Sequence, residues 1–419
     1  MRNTMKNNRT FLEKLLDGAE VEWKPLKDVA EYIRGVTYNK ANESTNNIGY
    51  KVLRANNITL PGNTLNFDDI KVIKFDTKVK SSQMLYKNDI LISAASGSRE
   101  HVGKVAFIYQ DIDYYFGGFM GVIRCNNNVN SRYLFHIFTS SIFQDYLNEV
   151  LNSSTINNLN SKVMDSFRLP IPPLSVQTEI VKILDALTAL TSELTSELTS
   201  ELILRRKQYE YYREKLLSEE ELGKVGFEWK TIDEISNKIS SGGTPTTSNN
   251  GYYDNGTIPW LRTQEVDFKE IWDTNIKITE DALNNSSAKW IPANCVIVAM
   301  YGATVGKTAI NKIPLTTNQA CANIEINDKL ACYRYIFHYL TSKYEYIKSL
   351  GSGSQTNINA QIVKKIKVPV PPIEEQQRIV SILDKFETLT NSITEGLPLA
   401  IEQSQKRYEY YRELLLNFP

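Results

Sequence analysis

The sequence contains few residues that could cross-link it or hold a metal, with four cysteines and three histidines among 419 residues. The histidines stand far apart, and no CxxC pair occurs among Cys125, Cys295, Cys321 and Cys332. Neither a disulfide framework nor a metal site is therefore indicated. No run approaches the ~20 uncharged apolar residues of a membrane span, and no apolar signal-peptide core follows the first residues, so we expect a cytoplasmic protein.

An excess of charge of either sign is also missing, because 48 Lys and Arg residues balance 48 Asp and Glu residues. This balance removes the simplest argument for a nucleic-acid partner, although a neutral protein can still carry a basic cleft. The hydrophobic fraction of 42% is ordinary for a globular protein. A chain of this length is expected to form roughly two or three domains.

What the sequence does contain is an internal repeat that spans most of its length. FRLPIPPLSVQTEIVKILD at 167–185 matches IKVPVPPIEEQQRIVSILD at 366–384, and KQYEYYREKLL at 207–217 matches KRYEYYRELLL at 406–416, both with an offset of 199 residues. Upstream the halves match more loosely, as in RYLFHIFTS at 132–140 and RYIFHYLTS at 334–342. Two similar variable blocks therefore alternate with two nearly identical segments.

Each variable block combines short β-rich runs, such as DILIS at 89–93 and CVIVAMY at 295–301, with loop residues and an aromatic helical stretch. We interpret each block as an α+β domain of about 150 residues. FLEKLL at 11–16 echoes YREKLL at 212–217, as if the chain began inside a further copy of the repeat. The predicted order is a helix remnant at 1–20, a first domain at 21–173, a central helical spacer at 174–220, a second domain at 221–372 and a distal helical spacer at 373–419.

The two repeated segments predict long helices. From Ser175 to Leu217 there is no Pro or Gly, and apolar residues recur at helical spacing after Pro172-Pro173. Such a helix would be roughly 60 Å long, which is typical of a coiled-coil spacer. In the second copy we expect a break at Gly396-Leu397-Pro398 and a new helix that starts at Pro398. The two equal helices are predicted to lie antiparallel, giving a pseudo-twofold, cyclically arranged repeat that holds the domains apart.

These motifs, together with SGGTP at 241–245, IPWLRT at 258–263, TNQ at 317–319 and GLPLAIE at 396–402, resemble the specificity subunit of type I restriction-modification systems over essentially the whole chain. The resemblance implies two target recognition domains, each reading one half of a bipartite, asymmetric site in double-stranded DNA. It also implies that the chain docks two methyltransferase subunits, which methylate adenine N6 with S-adenosylmethionine, and restriction motor-nuclease subunits, which use ATP and Mg. The specificity subunit itself would be non-catalytic and would carry no cofactor.

Two other functions stay open on the residues alone. GATVGKT at 302–308 resembles a phosphate-binding loop but has three residues between its glycines, where the motif needs four. A turn between strands that presents Lys307, and Lys104 at the matching place, is the favoured interpretation. A protein-binding adaptor that contacts no DNA would fit the neutral charge, and it would lack the salt-dependent DNA binding that phosphate contacts impose.

Base reading requires polar and basic side chains on loops near a groove. The candidates in the first domain are Lys40, Arg54, Asn56, Asn57, Ser96, Ser98, Arg99 and Lys104. The candidates in the second domain are Ser241, Thr244, Thr246, Arg262, Gln264, Tyr301, Thr304, Lys307, Ser354 and Gln355. Arg54 and Arg262 are favoured because they occupy equivalent places after a strand-like run, with structural ion pairing as the alternative.

Aromatic and histidine residues of the repeat are predicted to pack. His136 and His338 lie at equivalent positions in aromatic helical stretches, which favours burial. The tyrosines of the two clusters spread over more than one helix face, which favours contact with another helix or a methyltransferase subunit over base stacking; they are Tyr209, Tyr211, Tyr212, Tyr408, Tyr410 and Tyr411.

The central spacer contains Thr-Ser-Glu-Leu three times in tandem at 191–202. Each unit adds about 6 Å of rise and turns the helix through about 400°, a net 40°. A DNA base pair turns through about 35°, so one unit matches one base pair in rotation. We interpret the repeat as an adjustable length of spacer, with a repeat-slippage scar of no functional effect as the alternative.

Overall fold

The computed structural model describes residues 10–60, 62–97, 99–152, 158–351, 357–392 and 395–418. Its helices are α1 (Phe11–Leu16), α2 (Ser131–Phe138), α3 (Ser141–Asn152), α4 (Ser161–Ser166), α5 (Leu174–Leu216), α6 (Glu219–Gly223), α7 (Glu280–Asn284), α8 (Tyr333–Ser342), α9 (Tyr344–Ser349), α10 (Ala360–Lys365), α11 (Ile373–Asn391) and α12 (Leu397–Leu416). Its strands are β1 (Glu22–Pro25), β2 (Ala30–Arg34), β3 (Tyr50–Leu53), β4 (Ile58–Thr59), β5 (Thr64–Leu65), β6 (Lys71–Ile73), β7 (Met84–Leu85), β8 (Ile90–Ser93), β9 (Val105–Phe107), β10 (Ile112–Phe116), β11 (Met120–Cys125), β12 (Arg168–Ile171), β13 (Glu228–Thr231), β14 (Ser236–Ser241), β15 (Ile258–Leu261), β16 (Lys269–Ile271), β17 (Lys277–Ile278), β18 (Trp290–Ile291), β19 (Val296–Ala299), β20 (Thr308–Asn311), β21 (Leu315–Thr317), β22 (Cys321–Ile326) and β23 (Lys367–Val370).

Contacts divide the chain into two compact units. The first unit comprises the residues up to Glu197 together with those from Ile401 onward, and the second comprises Leu198–Ala400. The division falls inside α5, a continuous helix of 43 residues that confirms the predicted long helix. The residue boundaries predicted for domains and spacers separate the helices from the domains, and they stay a prediction. None of the helices in the described ranges is long and apolar enough for a membrane span.

The first unit contains one antiparallel sheet, one mixed sheet and a two-stranded ribbon. One sheet has the order β2-β11-β8-β9 with antiparallel neighbours, and the other has the order β6-β3-β10-β7, in which β3 and β10 run parallel. The first and last strands of the unit, β1 and β12, pair from Glu22↔Ile171 to Pro25↔Arg168. The ribbon therefore brings the start and the end of the first variable block together.

The second unit repeats this arrangement. Its sheets have the orders β14-β22-β19-β20-β16 and β17-β15-β21-β18. The strands β15 and β21 run parallel, as β3 and β10 do, and the additional edge strand β16 runs parallel to β20. The ribbon is formed by β13 and β23, from Glu228↔Val370 to Thr231↔Lys367. The correspondence of sheet order and of the parallel pair confirms the predicted pair of similar α+β domains.

Each unit packs helices on one face of the sheet that contains β11 in the first unit and β22 in the second. In the first unit one apolar cluster joins β8 and β11 to α2, to the start of α5 and to the end of α12. Ile180 and Leu184 of α5 share this cluster with Leu416 at the end of α12. Thr188, which lies further along α5, donates to Tyr408, which lies about two turns before Leu416. The two helices therefore run antiparallel within this unit, as predicted. In the second unit the end of α5 contacts α11, where Tyr209 packs on Phe386.

The break predicted in the second copy is confirmed. The helix α11 ends at Asn391, and α12 begins at Leu397 with Pro398 in its first turn, where the missing N–H of proline costs nothing. Gly396 has a φ of +91°, and a Cβ at this position would lie 2.6 Å from the carbonyl oxygen of Thr388. Only glycine fits both requirements, so this residue fixes the place at which the chain restarts.

Candidate nucleic-acid interface

In the first unit, backbone hydrogen bonds bring several separate loops together at one edge of the sheets. Phe116 and Phe119, at the ends of the loop between β10 and β11, accept bonds from the segments that follow β2 and β8: Val36 N to Phe116 O at 2.7 Å and Ala94 N to Phe119 O at 2.8 Å. Gly117 N donates to Leu53 O at 3.0 Å, which adds the end of β3. Leu159 N donates to Ala94 O at 2.7 Å. The candidates that follow β3 and β8 therefore belong to one loop cluster.

The second unit forms the same cluster with matching bonds. They are Gly243 N to Thr317 O at 2.9 Å, Asn318 N to Leu261 O at 2.9 Å, Met300 N to Ala320 O at 2.8 Å and Ile358 N to Met300 O at 3.0 Å. Gly242 must lack a side chain, because a Cβ there would lie 1.9 Å from the carbonyl oxygen of Thr317. SGGTP, IPWLRT and TNQ, which are far apart in the sequence, thus meet at one place.

Arg54 and Arg262 occupy equivalent positions in the two clusters. Each precedes a short 3₁₀ turn, Ala55–Asn57 or Thr263–Glu265, directly after a strand of the parallel pair. The guanidinium of Arg54 donates to Asp69 at 2.6 Å, whereas Arg262 takes part in no ion pair among the described residues. Both side chains are half-buried. The ion-pair alternative therefore applies to Arg54 and not to Arg262.

Asn56 and Asn57 have different environments although they are adjacent. Asn56 is exposed, and its amide donates to the carboxylate of Asp69 at 2.9 Å. Asn57 is fully buried; its side chain accepts from the N–H of Arg54 at 2.9 Å and donates to the carbonyls of Asn66 and Asp69. The Asn57 side chain therefore braces the loop and, in this conformation, does not face a ligand.

Lys104 and Lys307 lie where a turn between strands was predicted, and that prediction is confirmed. Residues 300–307 connect β19 to the antiparallel β20, and Lys104 precedes β9 in the same way. A phosphate-binding loop leads from a strand into a helix, which the strand β20 replaces here. Lys307 Nζ lies 2.6 Å from Asp267 and 5.6 Å from the ring centroid of Phe268. The side chain of Lys307 is therefore held against the loop that follows Arg262.

The remaining candidates are distributed around the two clusters. Exposed side chains belong to Lys40, Arg99, Ser241, Thr246, Gln264 and Tyr301, and half-buried ones to Ser96, Lys104, Thr244 and Thr304. Thr304 donates to the carbonyl of Thr263 at 2.8 Å, and Thr244 bonds to Gln319. Lys40 lies apart, beside the edge strand β6, where Glu43 pairs with Ile73. Ser98, Ser354 and Gln355 lie outside the described residues.

Three residues of the clusters were not predicted from the sequence. Arg34, at the end of β2, donates to Gly118 O at 2.9 Å and to Leu159 O at 3.0 Å, so it ties two loops together. Gln319 holds Thr244, and Phe119 projects from the loop between β10 and β11. Arg34 and Ser241 pair with equivalent residues of β11 and β22, so they occupy equivalent positions in the two units. Arg34 could therefore have been found as the counterpart of the predicted Ser241.

Identical residues join the first helix of each repeated segment to its domain. Asp185 accepts from Arg132 and from His136 at 2.9 Å each, and Tyr133 donates to Pro170 O at 2.9 Å. The same bonds recur in the second unit between Asp384, Arg334 and His338, and between Tyr335 and Pro369. The predicted burial of both histidines is confirmed. Burial lowers the pKa of His136, so the ring is neutral at pH 7.

His338, Asp384 and Glu387 offer three possible metal-ligand atoms within 4.8 Å of one another. Arg334 already occupies the acidic side of this group, with bonds of 2.5 Å to Asp384 and 2.8 Å to Glu387. Burial raises the pKa of Glu387, which opposes its negative charge. The group is therefore a structural ion-pair network around a guanidinium, and it offers little attraction to a cation.

The two tyrosine clusters divide into packed and exposed members. Tyr209 packs on Phe386, and its burial raises its pKa to about 12. The exposed pairs have almost the same geometry, since the ring centroids are 5.3 Å apart in Tyr211 and Tyr212 and 5.4 Å apart in Tyr410 and Tyr411. Tyr212 also stacks on Phe386, with ring centroids 5.6 Å apart, and Tyr408 accepts a bond from Thr188. The packing expected for these clusters is thus confirmed for Tyr209, Tyr212 and Tyr408, whereas Tyr211, Tyr410 and Tyr411 remain exposed.

Comparison with known proteins gives a consistent result for the whole chain. A protein-family model described as the type I restriction modification DNA specificity domain matches residues 19–203 and again 224–403. The specificity subunit of the type I restriction enzyme EcoR124I/EcoR124II from Escherichia coli is 35% identical, over 98% of this chain and 97% of that protein. A putative type I specificity subunit from Haemophilus influenzae, S.HindORF215P, is 38% identical, over 99% of this chain and 100% of that protein.

Solved structures agree in fold. A chain from work on complex assembly and conformational transition of the type I R-M system has a TM-score of 0.70 and 16% identity, over 94% of this chain and 97% of that chain. The crystal structure of the HsdS subunit from Thermoanaerobacter tengcongensis has a TM-score of 0.56 and 16% identity, over 94% of this chain and 95% of that chain. At these identities the likeness concerns the fold alone.

Proposed function

Because the chain belongs to the family of type I restriction-modification specificity subunits, which recognise DNA sequence and are not the catalytic subunits, we propose that each unit reads one half of an interrupted DNA target. The observation that carries this proposal is the duplicated loop cluster. The same backbone bonds recur in both units, while the side chains that they position differ, as in Asn56 and Gln264 after the two arginines. Two different readers recognise two different half-sites, so the target is asymmetric.

The ion pairs of Arg54 and Lys307 support a reader that binds DNA as part of a complex. Arg54 is paired with Asp69 and Lys307 with Asp267, and both carboxylates are exposed. Exposed ion pairs contribute only about 0 to 1 kcal/mol, so a DNA phosphate can replace the carboxylate at little cost. The same carboxylates reduce the positive potential of the free chain, in keeping with its net charge of zero.

The repeated helices support docking of two copies of one partner. Tyr211-Tyr212 and Tyr410-Tyr411 are exposed pairs of the same sequence and geometry, one in each unit. Two similar surfaces that carry the same tyrosine pair suit two identical subunits, and we assign them to two adenine-N6 methyltransferase subunits that bring S-adenosylmethionine. Motor-nuclease subunits with ATP and Mg complete the restriction complex. Methylation requires a flipped adenine, which the partner's active site receives.

Methylation mapping tests the proposal. The chain is purified with its methyltransferase partner, and methylated adenines are located on plasmid DNA. We expect one methylated adenine in each of two half-sites separated by a spacer of fixed length. Arg54→Ala and Arg262→Ala form a matched pair of variants, and each is expected to relax base discrimination in one half-site only. Methylation confined to a single half-site, or relaxation of both half-sites by either variant, would contradict the two-reader proposal.

Salt dependence separates this function from a DNA-independent adaptor. Phosphate contacts make the logarithm of the DNA association constant fall linearly with the logarithm of the salt concentration. We expect the assembled complex to show this slope with specific duplex. An adaptor would show no binding to duplex at any salt concentration.

A further inference from the structure

Phe119 is the most exposed large hydrophobic side chain among the described residues, with 73% of its surface accessible. It lies in the loop between β10 and β11, inside the loop cluster of the first unit. Exposure of a single phenylalanine is common on protein surfaces, so exposure alone does not indicate a role. Its position among the DNA-reading loops and the rigidity of its backbone distinguish it.

The backbone around Phe119 is fixed by a hydrogen bond within its own loop and by hydrogen bonds to two other segments. The carbonyl of Phe119 accepts from Ala94 N at 2.8 Å and from Ala95 N at 3.0 Å. Met120 N donates to Gly117 O at 2.7 Å, and Arg34 donates to Gly118 O at 2.9 Å. An aromatic side chain with two rotatable bonds on such a loop loses little conformational entropy when it meets a ligand.

The second unit places an aromatic residue at the neighbouring position of the same cluster. Met120 pairs with Ser93 and Cys321 pairs with Ala299, so Phe119 corresponds to Ala320 and Ala95 corresponds to Tyr301. Ala320 is only 7% exposed, whereas Tyr301 is 38% exposed. Each unit therefore carries one exposed ring and one alanine at two adjacent sites, in opposite order. The fold is the same in both units, so the exchange of ring and alanine is better explained by the different half-sites that the two units read.

The chemistry of the phenyl ring limits what it can read. It has no donor or acceptor, so it cannot recognise the polar groups of a base edge. The one apolar group that base pairs present in the major groove is the 5-methyl group of thymine. We propose that Phe119 is a specificity-determining residue that packs on the 5-methyl group of a thymine in the half-site read by the first unit. This proposal rests on the proposed function, because it requires that the first unit reads DNA.

The test uses the complex of this chain with its methyltransferase partner and the target mapped by methylation. Each thymine of both half-sites is replaced singly by deoxyuridine, which keeps base pairing and removes only the methyl group. A methylated adenine always pairs with a thymine, so every half-site offers at least one such position. We expect the Kd of the wild-type complex to rise about fourfold at one position of one half-site, from the loss of one buried methyl group.

The variant Phe119→Ala is expected to bind the unmodified target at least about fivefold more weakly and to be insensitive to deoxyuridine at that position. Phe119→Tyr keeps the ring and is expected to stay sensitive. Phe11→Ala, which changes an exposed phenylalanine of α1 outside the loop cluster, serves as the matched control and is expected to bind as the wild type does. Because Phe119 is exposed, the melting temperature of the alanine variant is expected to be unchanged.

Two results would overturn this proposal. One is that no deoxyuridine weakens binding by the wild-type complex. The other is that the sensitive position stays equally sensitive in Phe119→Ala. A wild-type complex that does not prefer its mapped target over unrelated duplex would instead refute the proposed function itself, so the two failures are distinguishable.

Discussion

Deletion of one Thr-Ser-Glu-Leu unit, for example residues 191–194, tests whether α5 sets the distance between the two half-sites. The helix is continuous through the three units. Within residues 190–202, all of which the structure describes, no side chain is buried. The deletion therefore removes no core contact, and it leaves the domains intact. It shortens the helix by about 6 Å and changes the rotation of everything that follows by a net 40°.

These magnitudes predict a spacer that is shorter by one base pair. One base pair rotates DNA by about 35°, which leaves a mismatch of roughly 5° that a helix of this length can absorb. The rise of one base pair is about 3.4 Å, so the 6 Å change fits when the helix is inclined by about 55° to the DNA axis. Genome-wide mapping of methylated adenines in cells that express the variant measures the spacer and both half-sites together.

Three variants bracket this prediction. Insertion of a fourth unit is expected to lengthen the spacer by one base pair. Replacement of Thr191-Ser192 by Ala-Ala keeps the length and is expected to leave the spacer unchanged. Deletion of only two residues rotates the following helix by about 200° and is expected to abolish recognition. An unchanged spacer after deletion of a full unit, or altered bases in a half-site, would refute the reasoning and support a repeat without function.

Two further predictions concern charges of the first unit. Asp69→Asn removes the carboxylate that holds Arg54 while keeping an acceptor for Asn56. The Kd of the complex for DNA, measured by fluorescence anisotropy at low salt, is therefore expected to fall about two- to fivefold. An unchanged Kd would contradict competition between Asp69 and phosphate. Burial lowers the pKa of His136, so its stabilising contribution is complete above the unfolded-state pKa of about 6.5 and is lost as the pH falls below it. The melting temperature is therefore expected to fall less between pH 7.5 and pH 5.5 in His136→Gln than in the wild type, and an equal fall would show that His136 is not the titrating group.

The internal repeat made much of the fold predictable. The long helix, its break before α12 and the two similar domains follow from local signals: the absence of Pro and Gly after Ser175, the Gly396-Leu397-Pro398 sequence and the matched motifs. The structure also explains why LPIPP at 169–173 and VPVPP at 368–372 are similar. The carbonyls of Pro170 and Pro369 accept from Tyr133 and Tyr335, so the two segments preserve one set of tertiary bonds.

The composition of the candidate site was less predictable, for a physical reason. Residue type and loop position identified Arg54 and Arg262. The burial of a side chain, however, depends on contacts between distant segments, and the Asn57 side chain is buried because it bonds to the backbone of Arg54 and Asn66. Arg34 and Phe119 were missed because their roles arise from hydrogen bonds between the ends of strands that are far apart in sequence. Phenylalanine also has no hydrogen-bonding group, so its residue type gives no signal of base reading.

The two units serve as internal controls for one another. Positions that hold the domain to its helix are identical in both units, as in Arg132 and Arg334 or Asp185 and Asp384, and their bonds are the same. Positions at the tips of the loop cluster differ, although the backbone bonds beneath them match. A fold requirement acts equally on both copies, so it accounts for the identical positions and not for the different ones. The differences at the tips are therefore best explained by what each unit binds, and this places sequence discrimination in side chains that can change without disturbing the scaffold.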